Sequence, residues 1–222
     1  TATLVVYVLA QAAYARLGRG PWANPVLWTV VVLAGGLLAT GVPYESYFAG
    51  AQFIHFLLGP AVVALAWPLW QRRAELRRRW RRLLLAALLG GTAASGSAVL
   101  LAWAVGLPLD VTLSLAPKSV TAPVAMGIAE KIGGIPALAA VFAVITGLVG
   151  ALLGKYLFAA LRIPADSAGW PARGFAMGTS AHGLGAARAL QVNADAGAYA
   201  GLALGLQVVL ASLLMPLAFR LF

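Results

Sequence analysis

The chain contains no cysteine, only two histidines and only 6 acidic residues in 222. Without cysteine there is no disulfide framework and no thiolate metal site. His55 and His182 alone make no zinc site, so no metal and no cofactor is expected. Charge of either sign is scarce: charged residues make up 10% of the chain, against roughly 25% in a soluble domain. This scarcity excludes a soluble enzyme, a nucleic-acid-binding domain and a disordered protein.

What fills the chain instead is apolar. Hydrophobic residues reach 62% and mean hydropathy is +0.89. At about 20 apolar residues per crossing the length allows about seven or eight spans. The composition therefore predicts an all-α, polytopic helical membrane protein, one integral membrane domain over 1–222. Its first half is 1–106 and its second half 107–222.

The net charge is +10, from 16 Lys+Arg. Seven of the thirteen arginines fall between Arg72 and Arg82. In a membrane protein such a run reads as a cytoplasmic loop obeying the positive-inside rule. Anionic lipids would be attracted by the same residues. No nucleic-acid module surrounds the run, so no nucleic-acid partner is expected.

Apolar runs and Pro/Gly punctuation place the elements. The first apolar stretch, Leu4 to Tyr14, is short for a span, and helix 1 is expected to begin upstream of it. Helix 2 is predicted from Asn24-Pro25, where Asn caps and Pro suits the first turn, to Thr40. A loop around Pro43, Tyr44, Glu45 and Tyr47 follows. Helix 3 is predicted from Phe48 to Trp70, with Gly59-Pro60 in its middle. The arginine loop 71–82 and a helix from Leu83 to Val105 complete the first half. In the second half, 115–134 carries prolines, glycines, lysines and a glutamate. It is predicted to be broken or re-entrant, entering and leaving on one face. A long helix follows from Ile135 to Leu161. The segment 174–188 is the second broken one, and a final helix runs from Ala198 to Phe219. Arginine placement predicts seven crossings plus the segment 115–134. Arg162 and Arg173 then lie in the cytoplasm, Asn193 and Asp195 outside, and Arg220 back inside. Phe56–Ala66 matches Phe175–Gly185 weakly, which suggests an inverted repeat with discontinuous helices.

Two segments could carry chemistry. In the first, Pro117 and Pro123 interrupt a helix around Lys118, Ser119 and Thr121. An intramembrane lysine is costly unless used. The half-helix starting near Pro123 would aim its positive end at an anion. The plainer alternative is a lysine that reaches to the interface. In the second, Thr179, Ser180 and His182 stand among Gly178, Gly183 and Gly185, with Arg188 placed to clamp a carboxylate. Here the alternative is tight helix packing. GxxxG spacing at Gly150/Gly154, Gly174/Gly178 and Gly201/Gly205 serves packing or a dimer, and a homo-oligomer, a dimer, is expected. His182 or Glu130 could carry a coupling proton, although a surface ion pair with Lys131 suits Glu130 as well. Gly183-x-Gly185-x-x-Arg188 lacks the third glycine of a dinucleotide fingerprint, and no convincing nucleophile or carboxylate pair is present. No enzyme activity is expected.

The strings PKSVTAPVAMGIAEKIGGIPALAAVFAVITGLVGALLG (Pro117–Gly154) and ARGFAMGTSAHGLGAARAL (Ala172–Leu190) resemble the signature stretches of the LrgB/CidB family. NPVL at Asn24–Leu27, the stretch Gly41–Trp70 and the GLALGL helix are similar to it too. The resemblance implies a multi-pass protein of the bacterial cell (cytoplasmic) membrane, often encoded beside a small holin-like LrgA/CidA partner. It implies one of two functions. One is secondary transport of small monocarboxylates such as pyruvate, or the glycolate and glycerate exchanged by the plastidial relative. The other is holin- or antiholin-like control of murein hydrolase export and lysis. Under the first, Lys118, Ser119 and Thr121 are expected to meet Thr179, Ser180, His182 and Arg188 around a carboxylate anion.

Overall fold

The computed structural model describes residues 2–57, 60, 66–71 and 73–219. The described elements are all helices: α1 (Ala2–Arg16), α2 (Pro25–Thr40), α3 (Tyr44–Phe56), α4 (Ala66–Gln71), α5 (Arg73–Ala104), α6 (Leu109–Leu115), α7 (Ala122–Ile132), α8 (Pro136–Ala160), α9 (Trp170–Val192) and α10 (Ala194–Ala218). The protein is a helical membrane protein, and α8, α10 and the Arg77–Ala104 part of α5 are each long and apolar enough to cross a bilayer. The chain forms two compact units, Thr1–Ala64 and Leu65–Phe222.

In the first unit α1 and α2 form a hairpin. Asn24 caps α2 by accepting hydrogen bonds from the backbone N–H of Val26 and Leu27, at 2.9 and 3.3 Å. Pro25 fills the first turn and Gly41, at φ 66°, ends the helix in the left-handed region. The expected loop at Tyr44, Glu45 and Tyr47 is helical instead, because Glu45 suits the first turn of α3 and Pro43 precedes it. Most of the expected Gly59-Pro60 break, and with it the Phe56–Ala66 arm of the expected repeat, lies outside the described residues.

The second unit holds both polar segments. The arginine run in it is helical, not the expected loop 71–82. Arg73 to Ala104 is one helix of 32 residues. Arg, Leu, Ala and Glu are all strong helix formers, and the stretch contains no proline. Glu75 sits in its first turn, ion-paired to Arg79 at 3.7 Å and hydrogen-bonded by the Tyr199 hydroxyl.

The core of this unit is built from small side chains. Ala87, Ala116, Ala125, Ala129, Ala139, Ala143, Ala181, Ala200 and Ala203 are fully buried. Helices in a bilayer gain little from hiding apolar surface from one another, so they associate by close van der Waals contact, which small residues permit. Glycines mark the closest approaches. A Cβ on Gly174 would collide with the Ala196 carbonyl, and one on Gly178 with the Ala200 carbonyl. One on Gly154 would meet Met177. The GxxxG pairs 150/154 and 174/178 are thus occupied by packing within the chain.

Candidate functional site

The segment 115–134 departs from one point and returns to it. Ser114 ends the short α6 and donates its hydroxyl to the Asp110 carbonyl at 2.6 Å. The same oxygen accepts the backbone N–H of Ile135 at 2.7 Å. Gly134 is forced by this closure, since a Cβ there would lie 2.9 Å from the Ser114 nitrogen. Between these ends the chain runs through the turn 116–121 and comes back as α7. Two prolines direct the course. Pro117 is fully buried in the turn, and Pro123 lies in the first turn of α7, where its missing N–H costs nothing. Gly133 stops α7 at φ 87°. The excursion is a re-entrant hairpin by geometry, and with 11 residues α7 is about 16 Å long, about half a hydrocarbon core.

The second segment is also a hairpin. Helix α9 leaves helical geometry at Ala181 (φ −121°, ψ 16°) and His182 (φ 42°, ψ −133°). The packing shows that this is a reversal. Gly174 and Gly178 contact Ala196 and Ala200 in parallel order, whereas Leu190 in the second arm contacts Gly197. Gly185 folds back against Met177 and Ala181. One arm, 170–180, goes in and the other, 183–192, comes out, and Asn193 then caps α10 through the N–H groups of Asp195 and Ala196. This overturns the expected crossing of 174–188. Asn193 and Asp195 return to the side of Arg173, and α10 carries the chain to the opposite side. The break also falls at Ala181 and His182 rather than at Gly178, Gly183 or Gly185. Gly178 and Gly185 serve close packing, and Gly183 faces open space.

The two hairpins enter from opposite ends of the unit. Helix α5 begins beside Tyr199 near the start of α10, so the arginine run, the α9 arms and the start of α10 share one end. The 115–134 hairpin packs against the start of α8 and the far part of α10, at Ala139, Ala143 and Ala211. Their tips converge on Ala143. Its methyl is buried with Val120 and Ala125 of the first hairpin. Its carbonyl is 2.7 Å from Nε2 of His182 in the second. His182 is 4% exposed. It holds an unfavourable positive φ, of order 1–3 kcal/mol for a non-glycine residue. The backbone contact to Ala143 and the absence of a side chain at Gly147, where a Cβ would lie 2.7 Å from Nε2, make room for it.

The expected residues divide accordingly. Thr121 caps α7 by position but its hydroxyl makes no cap hydrogen bond. Oγ1 of Thr121 and Oγ1 of Thr179 are the two buried side-chain oxygens without a hydrogen-bond partner among the described residues. Ser119 is buried and Lys118 half-buried, with Nζ 3.4 Å from the Ser119 hydroxyl. Arg188 is half-buried on the outgoing arm, six residues beyond His182, about 9 Å along the helix. No hydrogen bond joins Lys118, Ser119 or Thr121 to Thr179, Ser180 or His182 among the described residues. Ser180 does not join the interior, since it is exposed and its hydroxyl donates to the Ala176 carbonyl at 2.7 Å. Glu130 is exposed too, near the end of α7. Sequence reasoning missed Gln207, whose Nε2 donates to the Ala87 carbonyl at 2.6 Å and fixes α10 on α5. It also missed a cleft of about 870 Å³ between α5, α8 and the first arm of α9, which runs from Arg79 and Arg82 to Thr179 and Ser180.

Comparison with known proteins adds the family. The LrgB-like family model matches residues 3–221. The chain is 36% identical over 208 residues to the uncharacterised YwbG protein of Bacillus subtilis, covering 94% of this chain and 90% of that one. It is 36% identical over 220 residues to YxaC of the same organism, covering 99% and 94%. It is 30% identical over 221 residues to the holin-like protein CidB of Staphylococcus aureus, again covering 99% and 94%. No solved structure matches. Matched from end to end by the family model and by these relatives, the chain belongs to the LrgB-like family.

Proposed function

We propose that the protein is a secondary carrier of small monocarboxylates of the pyruvate, glycolate or glycerate type in the bacterial cytoplasmic membrane. One observation carries this reading: two re-entrant hairpins enter from opposite ends and bring their tips to one level, each tip with a buried hydroxyl lacking a partner among the described residues. Broken helices meeting at mid-depth are the usual ion and substrate sites of secondary transporters. A buried hydroxyl with no partner costs about 1–3 kcal/mol, a cost that a bound oxyanion removes. The anion is held by Thr121, Thr179 and the N-terminal N–H groups of α7, with Ser119 and Lys118 behind the first tip. Arg188 lies further out on the second arm. His182 is the group placed to carry a proton, and the exposed positions of Glu130 and Ser180 leave them outside this site. The arginine end faces the cytoplasm by the positive-inside rule.

A second reading is favoured by the relatives' names. CidB is called holin-like, and YwbG and YxaC are called uncharacterised. On this reading the protein shapes membrane permeability and lysis with a small LrgA/CidA-type partner, and the tips are a gate. Counterflow of labelled pyruvate, glycolate and glycerate into proteoliposomes holding the purified protein separates the two. Saturable uptake that selects acids over sugars of similar size supports the carrier. Unselective leakage, or flux only when the small partner is added, supports the holin-like reading.

A further inference from the structure

We infer that the cleft between α5, α8 and the first arm of α9 binds one anionic phospholipid, its phosphate at Arg79 and Arg82 and one acyl chain along the apolar wall. The inference rests on membrane placement alone, so its failure leaves both readings of function where they stood.

Four observations point to this occupant. The cleft is polar only at its ends. Arg79 and Arg82 form the mouth, Thr179 and Ser180 the deep end, and the wall between is made of side chains such as Leu83, Val149, Leu153, Leu157 and Phe175. A path for a small hydrated anion needs polar groups along its length, whereas an acyl chain needs none. The charge fits as well. Arg79 is paired to Glu75, but among the described residues no acidic side chain pairs with Arg82, which a phosphate would satisfy.

The depth agrees with one leaflet. Helix α5 changes from RRRWRR to an unbroken apolar and small-residue stretch at Leu83, which sets the hydrocarbon boundary. From Leu83 to Gly90, at the deep end, is about 10 Å of helix, within the roughly 15 Å of one leaflet. Finally, the mouth is dressed as an interface. Trp80 is half-exposed beside Arg81, with the guanidinium 5.5 Å from the ring centroid, and Arg173 lies 5.3 Å from the Trp170 ring. Tryptophan and arginine together mark the headgroup level.

The test uses the full chain reconstituted in phosphatidylcholine vesicles with a trace of spin-labelled phosphatidylglycerol or spin-labelled phosphatidylcholine. Electron paramagnetic resonance reads the motionally restricted fraction of each. The expected result is a preference for phosphatidylglycerol of about fivefold per arginine engaged. Arg79→Gln with Arg82→Gln should bring the preference close to one. Ala86→Trp, an exposed position on the cleft wall, should reduce the restricted phosphatidylglycerol while all arginines remain. Equal restriction of the two lipids overturns the inference. So does a preference that survives both variants, since the surface charge at Arg77, Arg78 and Arg81 would then explain it. Displacement of the restricted lipid by millimolar pyruvate also overturns it and makes the cleft a site for a soluble anion.

Discussion

At the scale of single residues, the informative feature is polar atoms left incomplete inside a well-packed interior. The hydroxyls of Thr121 and Thr179 are buried without hydrogen-bond partners among the described residues. Valine has nearly the same shape as threonine but no hydroxyl. Thr121→Val and Thr179→Val are therefore expected to leave the fold unharmed or to stabilise it, by about 1–3 kcal/mol at most. The same changes should lower acid counterflow by an order of magnitude. Thermal unfolding in detergent together with the flux assay checks both halves. A lower melting temperature with unchanged flux would mean that the hydroxyls serve the fold and bind nothing. His182 invites the complementary substitution. His182→Gly removes the strain of φ 42° and with it the contact to Ala143. The two effects on stability are of similar size and opposite sign, about 1–3 and about 1 kcal/mol. The cavity left by the buried imidazole adds a further loss of about 2–4 kcal/mol, so the melting temperature should fall and counterflow should be lost; retained counterflow would place the ring outside the site.

At the scale of elements, glycines in helices divide sharply by what stands opposite them. On α8, Gly147 faces the His182 ring, and an added Cβ would lie 2.7 Å from Nε2. Gly147→Ala is expected to destabilise by about 1–3 kcal/mol, the usual cost of overpacking, and to weaken flux by displacing the second hairpin's tip. Gly127 on α7 has nothing within 4 Å of the same added atom. Gly127→Ala should stabilise by about 0.5–1 kcal/mol, because a helix interior favours alanine over glycine. Paired melting curves of the two variants test this, and equal shifts would contradict the packing described. The same contrast explains what the sequence made legible. Pro117, Pro123 and Gly133 can be read as breaks because each restricts or frees the backbone by its own chemistry. The reversal at Ala181-His182 cannot be read that way, because neither residue breaks helices. It is held by Gly147, Ala143 and Ala200, which lie far away in sequence. The arginine run misled for a related reason: charge marks the membrane boundary and does not determine whether the backbone there is helical.

At the scale of the whole molecule, one reversal changes the topology of everything after it. If 174–188 crossed the bilayer, Asn193 would lie opposite Arg173, and Phe219 would return to the side of the arginine run. With α9 folded back on itself, Asn193 lies on the side of Arg173 and the end of α10 on the other. The Ser114–Ile135 closure puts the 115–134 hairpin's mouth, and Glu130 near it, on that other side as well. Positive charge had suggested a different path because the rule counts arginines near helix ends, and a re-entrant arm has ends without crossing. The chain offers a direct check, since it contains no cysteine and needs no background substitutions. Single cysteines at Ser167, Asn193 and Glu130 can be labelled in intact cells with a membrane-impermeant maleimide, before and after permeabilisation. Ser167→Cys and Asn193→Cys are expected to behave alike and to be protected in intact cells. Glu130→Cys is expected to label from outside. Opposite behaviour of the first two would show that α9 crosses, which would separate the two tips and remove the shared level at Ala143 on which the carrier reading depends.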